Sequence, residues 1–497
     1  SKMKLKLKTL VDKYKSLSAP VKASIWFTAC NIIQKGIALI STPIFTRIMT
    51  TQQYGVYTIY QSWYQVLTIF ATLNLSAGIF NNGLTKYPEK KSEFVSSLQG
   101  LSTTVTFVLF LIYIAIPQFW NELLGLGTLF VVAMFVQLLF EPAYLFWSAE
   151  QRYQYNYKSL IFTTMIIAIG SPLIGIIAVI STSYKAEARV LSFVLVQVVL
   201  GLYFYIRAFA KGKCFFNSFF WKYALSFNIP LIPHYLSMTV LNQSDRIMID
   251  KMVGTSEAAI YGIAYTLAMM NMLTSLISPF AWFTLAMMMT IITGAINSSF
   301  IPYTYQNIKR KHYKEIGSNA NFILLLVAMG CAMAMAFGPE LIKLFATEEY
   351  YDAIWVMPSV AASVFFMFLY PLFANIEFYY EKTKFVMVAS CSGALLNILL
   401  NYIFIGLYGY YAAGYTTLIC YMVFSFAHYL AYKKIVDNNS ELEEIYDIKF
   451  IIALSVFVLA MMGIMIVGFS YTWLRYTILL VMVIVLFKNK TEILNKL

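Results

Sequence analysis

Charged side chains sit inside stretches that are otherwise apolar. Lys35 is flanked by Ile33, Gln34, Gly36 and Ile37, and Arg47 and Arg246 fall near the ends of two apolar runs. Glu141 precedes Pro142 deep in a third run, Asp245 and Asp250 close the same run as Arg246, and Glu377 lies near the end of a fourth. A charge held in hydrocarbon costs about 2.5–3.5 kcal/mol on insertion scales, unless it faces water or a partner. The cations suit an anion with paired oxygens, which arginine can grip in a two-pronged way. The carboxylates suit ion coupling or counter-charge. The plainer reading is a lysine that snorkels, arginines that anchor at the interface, and static salt bridges. Glu141 with Lys35 is one such pair, and Arg246 with Asp245 or Asp250 another.

Amides and aromatics form a second set. Tyr57, Gln61 and Tyr64 follow helical spacing, with Thr68 extending the stripe and Asn74 two turns further on. Asn242 and Gln243 precede Asp245. A polar-aromatic stripe within a span faces protein or water rather than lipid. Gln61, Tyr64, Asn74, Asn242 and Gln243 are therefore candidates to line a polar cavity. An aromatic belt at headgroup level is the alternative for Tyr54 and Tyr57. His234 follows Pro233 and Pro230, so a kink is expected there. The five cysteines are irregularly spaced, with no metal-ligand pattern and no disulfide framework. No Walker P-loop, G-x-G-x-x-G, H-E-x-x-H or G-x-S-x-G stands in a usable context, so no cofactor, no metal and no enzyme chemistry are expected.

The elements that hold these residues must be membrane helices. Of 497 residues 60% are hydrophobic and only 12% charged, about half the usual charged share. That excludes a soluble enzyme, a disordered chain and an ordinary nucleic-acid binder. A helix needs about 20 apolar residues to cross the hydrocarbon core. Windows of that size fall at 22–44, 55–80, 99–118, 124–147, 159–181, 189–209, 224–249, 258–290, 319–345, 353–378, 384–406, 409–432, 449–470 and 472–487. The eighth is too long for one straight span and contains Pro279. Placing the N-terminus in the cytoplasm puts 28 of the 36 Lys and Arg residues on the cytoplasmic side. The net charge of +13 is then topological, and both termini face the cytoplasm.

The expected organisation is a basic arm (1–21), a six-helix bundle (22–210), a cytoplasmic linker (211–223), a second six-helix bundle (224–432), a cytoplasmic loop (433–448), and two extra helices with a tail (449–497). The halves share a short repeat. Arg47-Ile48-Met49 is followed by Tyr54-Gly55-Val56-Tyr57, and Arg246-Ile247-Met248 by Tyr261-Gly262-Ile263, with spacings that differ by eight residues. Six spans per half make the repeats parallel, a known transporter plan.

Ser41-Thr42-Pro43-Ile44-Phe45-Thr46-Arg47 with Tyr54-Gly55-Val56-Tyr57, Ser244-Asp245-Arg246 with Tyr261-Gly262, and Phe300-Ile301-Pro302-Tyr303 before a basic loop resemble polysaccharide-biosynthesis flippases. These are the Wzx-type O-antigen and capsule repeat-unit exporters of the multidrug/oligosaccharidyl-lipid/polysaccharide exporter superfamily. The resemblance implies two six-helix bundles related by pseudo-two-fold symmetry around a central cavity, working by alternating access. It implies an oligosaccharide on undecaprenyl diphosphate as substrate, flipped to the outer leaflet. A proton or sodium gradient would drive transport, with a polysaccharide polymerase and chain-length machinery as partners and no nucleic acid. A multidrug or metabolite exporter of the same superfamily is the alternative. A membrane polymerase or ligase is disfavoured, because its chemistry calls for a long outer loop that the sequence lacks.

Overall fold

The computed structural model describes residues 15–16, 19–76, 79–274, 303–380 and 382–488. Among these residues every regular element is a helix. In chain order the α-helices are α1 (Ala19–Ile48), α2 (Thr51–Thr72), α3 (Ile79–Lys86), α4 (Lys91–Ala115), α5 (Pro117–Leu124), α6 (Thr128–Tyr153), α7 (Tyr157–Ile180), α8 (Lys185–Gly212), α9 (Ser218–Asn228) and α10 (Ile232–Met252). They continue as α11 (Thr255–Thr274), α12 (Tyr313–Phe345), α13 (Met357–Tyr379), α14 (Thr383–Tyr408), α15 (Tyr411–Asp437), α16 (Ile448–Gly468) and α17 (Thr472–Lys488). A helix overlaps each of the fourteen windows over its described part. Pro279, the far part of the eighth window, Phe300 to Pro302, and most of the basic arm and tail lie outside the described residues.

Among the described residues eight helices are long and apolar enough to cross a membrane by length and composition: α4, α6, α7, α8, α12, α13, α14 and α16. The site-bearing α2, α10 and α11 are not among them. They carry Gln, Asn, Ser, Thr and Tyr at positions a lipid-facing helix fills with Leu or Ile. Such helices need protein or water against their polar side.

The chain divides into two compact units, one comprising residues up to 41 and 67–232, the other 42–66 and 233–497. The first is built on α4, α6 and α8. Its core gathers Phe80, Leu84, Phe94, Leu98, Phe146 and Phe220, with a second cluster of Ala143, Trp147, Leu160 and Phe204. In the second unit α12 and α13 are innermost, with 78% of their apolar windows buried, against 28% for α16.

Two expected spans are broken. The second does not run to residue 80: α2 ends at Thr72, and Leu73 and Asn74 take left-handed backbone angles (φ 50° and 52°) before α3 begins. Asn tolerates that region; Leu does not, and needs support. The Asn228 side chain supplies it, donating Nδ2 to the carbonyls of Leu73 (2.8 Å) and Asn74 (3.1 Å). The seventh span is interrupted by a 3-10 turn, Ile229–Leu231, where Pro230 and Pro233 remove backbone donors. The kink expected beside His234 is there.

The repeat motifs occupy matching corners. Two residues separate α1 from α2, and two separate α10 from α11. The spacing differs because Arg246 stands further from its helix end than Arg47, and Gly262 further into its helix than Gly55. Each motif glycine is a point of close approach: a Cβ on Gly55 would lie 2.2 Å from the Thr255 carbonyl oxygen, and one on Gly262 3.1 Å from Thr58 Cγ2.

Candidate functional site

The polar stretch of α10 meets three other helices at Asp245, whose residue is 1% exposed. Tyr261 Oη of α11 (2.5 Å) and Thr417 Oγ1 of α15 (2.6 Å) donate to Oδ2, and Asn401 Nδ2 of α14 (2.6 Å) donates to Oδ1. Asn401 Oδ1 accepts from Thr416 Oγ1. Asn397, one turn earlier on the same face of α14, accepts on Oδ1 from Ser244 Oγ at 2.5 Å. An isolated carboxylate in such a place would cost several kcal/mol; three donors offset that. The cluster offers one carboxylate plus amide and hydroxyl oxygens. These are hard donors, suited to a proton or a small alkali cation rather than to a thiophilic metal.

Arg246, the next residue, points elsewhere, since successive side chains on a helix diverge by about 100°. It is 8% exposed, with its guanidinium carbon 4.3 Å from the centre of the Tyr265 ring. Nη1 donates to the Asn242 carbonyl (2.7 Å) and to Gln243 Oε1 (3.3 Å). Gln243 Nε2 in turn donates to Gln65 Oε1 of α2 at 2.7 Å, and Tyr421 Oη to Asn242 Oδ1 at 3.3 Å. The pairing with aspartate expected from sequence is corrected here. Asp245 is taken by hydroxyls and an amide, Asp250 accepts from Thr255 Oγ1 (2.6 Å), and Arg246 forms no ion pair among the described residues. A cation held by an aromatic face and neutral amides keeps its charge available for an anion.

The other candidates lie apart from this cluster. Arg47 is exposed at the end of α1 and spends two nitrogens on the carbonyls of Pro43 and Leu344, both at 2.9 Å. Lys35 falls within α1, but its side chain, and with it any pairing to Glu141, lies outside the described residues. Glu141 is half-buried and accepts from Gln137 Nε2 at 2.6 Å. Gln61 Nε2 is buried without a hydrogen-bond partner among the described residues. Tyr64 stacks on Tyr60, centroids 6.4 Å apart. Asn74 serves the break after α2. Glu377 Oε2 is hydrogen-bonded to Nδ1 of His428, and both side chains are fully buried.

Asn397, Asn401, Thr416 and Thr417 escaped the sequence reading, and Tyr261 entered it only as part of the repeat motif. Asn397 and Asn401 left a usable signal: two amides one turn apart in an otherwise apolar run, Ala394 to Ile405. The partnership with Asp245 left none, since about 150 residues separate them.

A bundle of apolar helices that encloses a satisfied carboxylate and a buried guanidinium is a polytopic membrane protein. Its fold is that of the multidrug/oligosaccharidyl-lipid/polysaccharide exporter superfamily. The solved inward-closed lipid II flippase MurJ matches with a TM-score of 0.67 at 13% identity, over 94% of this chain and 99% of that one. An inward-facing multidrug resistance MATE family transporter of the MOP superfamily matches at 0.59 and 12%, over 84% and 98%. The chain belongs to the polysaccharide biosynthesis protein family, whose model matches residues 21–285, a stretch that includes Asp245 and Arg246. A curated relative, Lsg locus putative protein 1 of Haemophilus influenzae, is 23% identical over 387 residues, 75% of this chain and 87% of its own length.

Proposed function

We propose that this protein flips an undecaprenyl-diphosphate-linked oligosaccharide repeat unit from the cytoplasmic to the outer leaflet by alternating access, for cell-surface polysaccharide assembly. The observation that carries the reading is Arg246, buried in a span, without an ion pair among the described residues and one residue from the Asp245 oxygen cluster. Arg246 offers the diphosphate a desolvated cation, and the neighbouring amides of Asn242 and Gln243 offer hydrogen bonds to sugars. Asp245 exchanges a proton or sodium ion, so that the hydroxyl and amide network of α10, α11, α14 and α15 differs between loaded and unloaded states. The working unit is fourteen spans, twelve of them in two six-helix bundles (22–210 and 224–432) and two more after them, with both termini in the cytoplasm.

The family match supports polysaccharide assembly as the setting, and the MurJ-like fold supports a lipid-linked cargo. An exporter of cationic compounds fits less well, because a buried guanidinium repels them. The test is a deletion strain complemented with wild type or Arg246→Ala. Lipid-linked repeat units should accumulate on the inner leaflet in the deletion strain, be cleared by wild type and persist with the variant. Undiminished surface polysaccharide in the deletion strain, or drug sensitivity as its only phenotype, overturns the reading.

A further inference from the structure

A cavity of about 300 Å³ opens at one end of the first unit, where α6 and α8 finish and the turn into α7 begins. Its floor is Trp147 stacked on Phe204, centroids 4.2 Å apart, and both are buried. Arg207 and Lys211 line one side. They stand four residues apart in the last turns of α8 and so share a face. Among the described residues neither forms an ion pair or a hydrogen bond. Glu150 and the buried Gln151, from the end of α6, line the cavity as well. Glu150 Oε1 accepts only a long bond from Gln154, 3.4 Å.

A pocket with two idle cations and also a carboxylate is not built for a bare anion, because Glu150 would repel it. It suits a molecule with a phosphoester for the cations and hydroxyls for the carboxylate and amide, its carbon skeleton lying on the Trp147 face. We propose that this pocket binds a phosphorylated polyol, such as the glycerophosphate headgroup of an anionic membrane lipid. The volume stands at the lower end of small-molecule sites, too small for an oligosaccharide unit. The site is therefore separate from the cargo site and does not rest on the flippase reading. Helix α8 exposes Leu202, Tyr203 and Ile206 just inward of Arg207, a surface for acyl chains and the reason to favour a lipid over a soluble polyol phosphate.

The test places the purified protein in phosphatidylcholine nanodiscs and titrates phosphatidylglycerol, phosphatidate or free glycerol 1-phosphate. Bound molecules are counted by native mass spectrometry. Phosphatidate carries more charge but no headgroup hydroxyls, so a merely cationic surface would prefer it. The wild type should prefer phosphatidylglycerol. Arg207→Gln with Lys211→Gln should weaken both lipids about tenfold or more, and Glu150→Ala should abolish the preference while retaining phosphatidate. These residues sit on the surface or at the cavity wall, and an unchanged melting temperature in phosphatidylcholine alone confirms folding. Competition by free glycerol 1-phosphate at equal concentration assigns the pocket to a soluble ligand of the same chemistry. Equal retention of the two lipids by the wild type, or binding unaffected by the double substitution, overturns the proposal.

Discussion

Asp245 and Glu377 are both buried carboxylates, yet their surroundings ask different things of them. Asp245 is met by a phenol, a hydroxyl and an amide, all able to reorient toward a bound cation or a proton. Asp245→Asn keeps the shape but not the charge. It should leave the protein in the membrane while repeat-unit export falls at least tenfold, measured as surface polysaccharide per unit of transporter. Asp245→Ala orphans three buried donors at about 1–3 kcal/mol each and should lower the amount of folded protein as well. Glu377 has one partner, His428, among the rings of Tyr370, Phe385 and Phe424. Removing one member of a buried pair costs about 3–5 kcal/mol, whereas replacing both with apolar groups can be neutral. Glu377→Leu and His428→Leu should each lower the melting temperature in detergent, and the double variant should recover most of the loss. A double variant as unstable as the sum of the singles would rule out direct pairing. The sequence displayed the two acids as anomalies in apolar runs. It could not display which hydroxyls and amides surround them, because those come from helices far along the chain.

At the level of elements, the interruptions differ in legibility. Pro230 and Pro233 announce the break before α10. The break after α2 falls in Leu73-Asn74-Leu75, where nothing but an asparagine hints at left-handed backbone and the stabilising Asn228 is remote. The corner glycines were visible as a repeat, but their purpose was not: Gly55 lets α2 lie against the start of α11 at Thr255. Gly55→Ala must push a backbone carbonyl aside and should destabilise the protein by about 1–3 kcal/mol. Gly170→Ala, with open space where the Cβ would go, should leave thermal unfolding unchanged. Equal melting temperatures for the two variants would remove the close packing of α2 on α11. A comparable tie holds α17, where buried Arg475 donates to Glu340 Oε2 (2.6 Å) and to the Ala336 carbonyl (2.9 Å) of α12.

For the whole molecule, composition alone was enough to identify a polytopic helical membrane protein, since no soluble fold of this length can spare so many charges. The distribution of Lys and Arg goes further and predicts an orientation for the chain. Loops assigned to the same side do meet: Lys311 pairs with Glu441 at 2.9 Å. In a variant lacking the native cysteines, Glu441→Cys should react with an impermeant maleimide only in inside-out vesicles, and Lys185→Cys only in right-side-out ones. The reverse pattern would invert the topology. What span counting could not yield was the partition into units, because it treats each helix as indivisible. Residues 42–66, the end of α1 and most of α2, cluster with the later half of the chain although they belong by sequence to the earlier one. A gene cut at the midpoint would therefore leave the downstream product without a piece of its own interior. The two polypeptides would have to reassemble by lending that helical corner across the cut rather than by simple docking.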